Sequence, residues 1–78
     1  MSDAKPDLEL DCRGMNCPLP ILKTKKAIDT LKTGQILKMI ATDPGSINDM
    51  NAWTNSTGNA LVESEQSGKE FVFYIRKK

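Results

Sequence analysis

Residues 10–42 read LDCRGMNCPLPILKTKKAIDTLKTGQILKMIAT, and within them the period of the apolar positions changes twice. Residues 7–12 alternate, with Leu8, Leu10 and Cys12 on one side, the pattern of a first strand. Residues 13–16 carry Gly14 and read as a turn. From Pro18 to about Lys32 the spacing lengthens, so that Ile21, Thr24, Ala27, Ile28 and Leu31 share one helical face. Gly34 stands just beyond, where a left-handed C-terminal cap is common. Residues 35–42, QILKMIAT, are β-rich and mostly apolar, as an inner strand covered on at least one face should be. Strand, helix and strand in that order make the two strands parallel if they share a sheet, with a right-handed crossover.

Working outward, Asp43-Pro44-Gly45 ends the second strand. Ser46, three residues before Asp49, reads as a capping-box-like start for a second helix. Its inward side is expected at Ile47, Met50, Trp53 and Thr57, and its end at Gly58. The run from Asp43 to Ser46 is better read as turn plus cap than as an anion cradle, since one glycine behind an aspartate does not make a phosphate loop. Residues 59–65 and 70–76 form a hairpin around Gln66-Ser67-Gly68-Lys69. In the last strand Phe71, Phe73 and Ile75 face one way and Val72, Tyr74 and Arg76 the other. The expected fold is an α/β (α+β) open two-layer sandwich, β-α-β-α-β-β, its four-stranded mixed sheet carrying two helices on one face. Residues 1–6 read as a flexible tail and 7–78 as a single domain.

A chain of 78 residues buries roughly 60% of the surface its unfolded form exposes, which leaves no room for a deep enclosed active site. Eleven basic against ten acidic residues, a formal charge of +1, argue against a nucleic-acid binder held by phosphate attraction. The opening MSDAKPDLEL lacks an apolar signal-peptide core and no stretch is long and apolar enough for a membrane helix, so a cytoplasmic location is expected. Thiols stay reduced there. Two cysteines without histidine cannot complete a tetrahedral zinc site, and no metal or organic cofactor is expected. A monomer is the default expectation.

Cys17 sits at the step from loop into the first helix, with Pro18 near the first helical position and Pro20 still in the first turn. The rings stiffen the helix entry. The helix dipole, with Arg13 before it and Lys23, Lys25 and Lys26 after it, favours thiolate over thiol. The prolines remove two amide donors from the same place, so only the direction of that effect follows. With no histidine, general-base hydrolysis by a cysteine nucleophile lacks its base. With proline at position 20, a thioredoxin-like Cys-x-x-Cys is also absent. Sulfur exchange requires neither, because a thiolate can attack a sulfur, hold it and be attacked in turn. The residues alone leave open that Cys17 is merely a buried apolar side chain.

Leu10, Asp11, Gly14, Cys17, Pro18 and Pro20 together match leucine–aspartate, two variable residues, glycine, two more, then cysteine–proline–x–proline. This resembles the signature of the TusA/SirA-like family of small sulfur carriers, and the resemblance extends over nearly the whole chain. It implies a β-α-β-α-β-β sandwich in which Cys17 takes up sulfane sulfur as a persulfide, a sulfurtransferase working with partner proteins. Pro18, Pro20, Gly14 and Asp11 would support that thiol. It further implies a donor, a cysteine desulfurase or a rhodanese-like transferase, and an acceptor relay protein, DsrE-like or similar. The sulfur would serve tRNA 2-thiouridine synthesis or sulfur oxidation. Direct nucleic-acid or membrane binding is not expected. Arg13, Lys23 and Lys26 are expected to border the docking surface, where charge acts on encounter rates. Cys12 falls at a variable position of the signature, and packing is its expected role. Competing readings are a non-catalytic regulatory or adaptor module and a redox sensor closing a Cys12–Cys17 disulfide.

Overall fold

The structure is a computed structural model and describes residues 6–16 and 19–78. Six elements follow one another: β1 (Leu8–Cys12), α1 (Leu19–Asp29), β2 (Ile36–Ala41), α2 (Ser46–Thr57), β3 (Ala60–Ser67) and β4 (Glu70–Arg76). The sheet order is β1-β2-β4-β3, with β1 parallel to β2 and β4 antiparallel to both its neighbours. The expected element order and mixed four-stranded sheet are therefore present. β4 inserts between β2 and β3, which makes β2 and β4 the two central strands.

Alternation in the central strands builds the core. Leu37, Met39 and Ala41 of β2 stand opposite Ile75, Phe73 and Phe71 of β4, and all six are buried. Cys12, Ile28 and Met50 complete the same cluster. α1 lies against β1 and β2, α2 against β3 and β4, and the helices touch each other. Both helices thus cover one face of the sheet. On the open face Tyr74 is only 9% exposed, flanked across the strands by Lys38 and Glu63. The register of β3 shifts between Leu61 and Glu63, which leaves Val62 unpaired and outward. No helix among the described residues is long and apolar enough to cross a membrane.

Three local expectations need correction. α1 stops at Asp29 rather than near Lys32, its end tightened by i→i+3 bonds from the amides of Thr30 and Leu31 to the carbonyls of Ala27 and Ile28. Gly34 is not its cap. It occupies the third position of a turn closed by the Gln35 amide on the Lys32 carbonyl, and its φ of +90° is the value a type II turn needs there. Ser46 is the first helical residue of α2 and is buried, with Gly45 at the cap position and no side-chain cap bond. Asp43 instead turns the chain, accepting the Gly45 amide on Oδ1 and the Ser46 amide on its carbonyl. The buried stripe of α2 runs through Ser46, Met50 and Thr54 with Trp53 half-buried, and leaves Ile47 and Thr57 exposed. The stripe of α1 is where the spacing put it, on Thr24 and Ile28 with Ile21, Ala27 and Leu31 half-buried, and Pro20 joins it.

Candidate functional site

The parallel register brings Cys12 beside Ala41, so the loops that leave β1 and β2 emerge at one end of the sheet. The antiparallel β4 begins at that same end, where Phe71 pairs with Ala41. Three segments from distant parts of the chain meet there: residues 13–16, residues 42–45 and the β3–β4 hairpin.

The loop after β1 is held amide by amide. Met15 donates its N–H to the Cys12 carbonyl at 3.2 Å, closing a turn whose third residue, Gly14, has φ +79°. Gly14 in turn donates its N–H to Thr42 Oγ1 at 2.9 Å. Leu19 donates to the Asn16 carbonyl at 2.9 Å where α1 begins. Arg13 reaches back to Asp11 through its amide (3.0 Å), Nε (2.9 Å) and Nη2 (2.9 Å), engaging both carboxylate oxygens. Its remaining arm, Nη1, donates to Glu70 Oε2 at 3.4 Å. Because β2 separates β1 from β4, this guanidinium spans the end of the intervening strand. The Arg13 bonds hold the Asp11 carboxyl down at about 2, well below the ordinary carboxylate value. The same two carboxylates raise Arg13 further above its already high value.

Of the expected site residues, the structure brings Asp11, Arg13 and Gly14 together at this end, and Pro20 follows in the first turn of α1 with its ring buried. Pro20 forfeits nothing there, since an amide in the first turn has no intrahelical partner. Cys17 and Pro18 lie outside the described residues. Cys12 is fully buried in the core cluster. Burial first, and the charge of Asp11 second, push its thiol above the ordinary value, against a smaller opposing pull from Lys23. A buried thiol held in its neutral form packs well and reacts poorly.

Lys23 and Lys26 are exposed on α1, as is Lys25. Between them the helix shows two large apolar side chains to solvent, Leu19 at 49% and Leu22 at 51% exposure. These line a shallow groove of about 440 Å³ with the three lysines and Asp29. Sequence reasoning passed over this pair, although leucines three apart on the polar side of an amphipathic stripe are a legible signal. It also passed over Thr42 and Glu70, whose roles depend on strand order.

The fold and the braced loop define a class: small open two-layer α+β sandwiches whose first strand leads into the first helix through a loop held by side chains. The SirA-like protein of Desulfitobacterium hafniense has this fold, with a TM-score of 0.77 at 20% identity over 88% of this chain and 95% of that one. The family model described as Sulfurtransferase TusA matches residues 8–77, and the chain belongs to the TusA family of sulfur carriers. It is 52% identical to the sulfur carrier protein TusA of Allochromatium vinosum, over 91% of this chain and 93% of that protein. It is 47% identical to a putative sulfur carrier protein of Bacillus subtilis, over 94% and 97% of the two chains.

Proposed function

We propose that this chain, residues 7–78 acting as one domain, carries sulfane sulfur as a persulfide on Cys17 between two partner proteins in the cytoplasm. The observation that carries this reading is the run Leu10, Asp11, Gly14, Cys17, Pro18, Pro20 standing where β1 gives way to α1 in a TusA-family chain. The Cys17 thiolate attacks the terminal sulfur of a donor persulfide. A new S–S bond forms to Cys17, the donor's S–S bond breaks, and the donor leaves as a thiolate. An acceptor thiolate then attacks the terminal sulfur on Cys17 in the same way, and Cys17 leaves. Atoms and electrons balance in both halves, so the exchange needs no metal, redox cofactor or histidine.

On this reading the protein is a sulfurtransferase that works only with its partners. The donor is a cysteine desulfurase or a rhodanese-like transferase, and the acceptor a DsrE-like or similar relay protein feeding tRNA thiolation or sulfur oxidation. The Leu19–Leu22 pair with Lys23, Lys25 and Lys26 supports docking of an acidic surface with an apolar centre. Apolar contact there supplies affinity and the lysines speed encounter. Donor and acceptor use that face in turn.

The test is intact mass after incubation with a cysteine desulfurase plus cysteine, and separately with a rhodanese-like transferase plus thiosulfate. One added sulfur atom, removed by reductant and absent from Cys17→Ser, is expected. No gain with either donor favours the adaptor reading. An internal disulfide in place of the gain favours the redox sensor, which would have to bring Cys12 out of the core.

A further inference from the structure

Composition alone makes Arg13 a cation free to meet a partner. Its surroundings give it other work. Its guanidinium is engaged on three sides by Asp11 and Glu70, which together carry more negative charge than it has positive. The fork to Asp11 is two-pronged, the geometry in which arginine fixes direction as well as charge. The Glu70 arm then ties the first residues of the loop to the start of β4, fifty-seven positions away in sequence. Both carboxylates and Arg13 are about half exposed, so solvent screens the pairing and its contribution to global stability is small. What such a link governs is local. With the Gly14–Thr42 bond beside it, it leaves the backbone of residues 13–14 anchored to β1, to the loop after β2 and to β4 at once.

We propose that Arg13 is a positioning residue for sulfur transfer: bridging Asp11 and Glu70, it holds the loop that leads into α1 and so sets how Cys17 is presented. This rests on Cys17 being the carrier. The role belongs to the fork rather than to the charge, and that separates it from docking. Lysine at position 13 keeps the cation but cannot span both carboxylates in the same plane. Glutamine at position 70 removes an anion and leaves Arg13 in place.

The experiment follows alkylation of Cys17 by iodoacetamide against pH in the intact chain, with Cys17 assigned by peptide mapping. Wild type, Arg13→Lys, Glu70→Gln and the double variant are compared. Thermal melts monitored by circular dichroism establish that each is folded. A held thiol at a helix start should titrate below the ordinary cysteine value of about 8.5. Loosening the loop should move the midpoint of either single variant up toward that value and slow labelling at neutral pH by about threefold to tenfold. The double variant should be no slower than the slower single one, because both changes cut one link. A simple charge effect gives the opposite pattern: Glu70→Gln shifts the midpoint down and Arg13→Lys leaves it where it was. That pattern overturns the proposal, as do additive effects in the double variant. An ordinary midpoint in the wild type, or variants that leave a depressed one unmoved, overturns the role of Arg13 alone. A Cys17 that neither iodoacetamide nor a sulfur donor reaches overturns the carrier reading, and this proposal with it.

Discussion

The two ends of the sheet are built differently. At the end where β1 and β2 begin, neighbouring segments are tied to one another by their own backbone. Asp7 donates to the Ile36 carbonyl at 2.7 Å, Gly34 to the Lys77 carbonyl at 2.9 Å, and Lys77 to the Gln35 carbonyl at 2.8 Å. Side chains extend that ladder: Asp7 accepts from the Ile36 amide, Gln35 from the Lys32 amide and Asn59 from the Lys78 amide, and Thr33 Oγ1 donates to the Lys78 carbonyl. At the opposite end Met15 and Ser46 also close backbone turns, but the ties from the loop after β1 to other segments are made by side chains, Thr42 on Gly14 and Glu70 on Arg13. Backbone pairing continues the sheet and is insensitive to which residues make it. A side-chain brace can be removed by one substitution while the core stays whole. The end that carries Arg13 and Gly14 is therefore the end whose shape can be adjusted without unfolding the domain.

The sharpest way to break this contrast is a matched pair of glycine replacements. Gly14 and Gly34 each hold a positive φ, +79° and +90°, and a Cβ on either would meet no atom within 4 Å. Alanine should then cost backbone strain alone, about 1–2 kcal/mol at each site by urea unfolding. Sulfur loading separates the two ends: Gly14→Ala should load slowly and Gly34→Ala at the wild-type rate. Equal loading would remove the distinction.

A smaller effect tests whether Cys12 belongs to the core and not to the site. Its folded pKa is raised, so the folded state keeps the proton after the unfolded chain has lost it. The unfolded state then binds fewer protons and stability falls as pH rises. The stabilisation is complete below the ordinary cysteine value of about 8.5 and declines above it. Urea midpoints across that range should fall less steeply for Cys12→Ala than for the wild type. Parallel slopes would place the Cys12 thiol in contact with solvent.

The smallest change concerns Thr24, whose hydroxyl is fully buried with no hydrogen-bond partner among the described residues. Thr24→Val removes the orphaned group at nearly constant volume and should raise stability by about 1 kcal/mol, with Cys17 loading unchanged. A loss of loading would bring Thr24 into the site.

The elements were legible because two periods, near 2 and near 3.6, are written plainly into residues 8–41 and 70–76. Their edges were less so. The stripe of α2 shares Met50 with the expected one but otherwise differs, because Ser46 and Thr54 are small enough to be buried while Ile47, the more apolar neighbour, is left outside. The signature run stood out in the sequence, yet its brace did not. Asp11 and Arg13 are close in the chain and Thr42 follows from the parallel pairing of β1 with β2, but Glu70 comes to them only through the order β1-β2-β4-β3. Nothing in the spacing of residues 59–76 says that β4, rather than β3, lies next to β2.

The most direct test of the account asks which cysteine holds the sulfur. The chain is charged by a cysteine desulfurase with cysteine or by a rhodanese-like transferase with thiosulfate, capped with iodoacetamide under native conditions, digested and read by mass spectrometry. The extra sulfur is expected on the peptide that contains Cys17, with Cys12 unmodified until the protein is unfolded. Sulfur on Cys12, or a Cys17 that stays uncapped and uncharged with both donors, contradicts it.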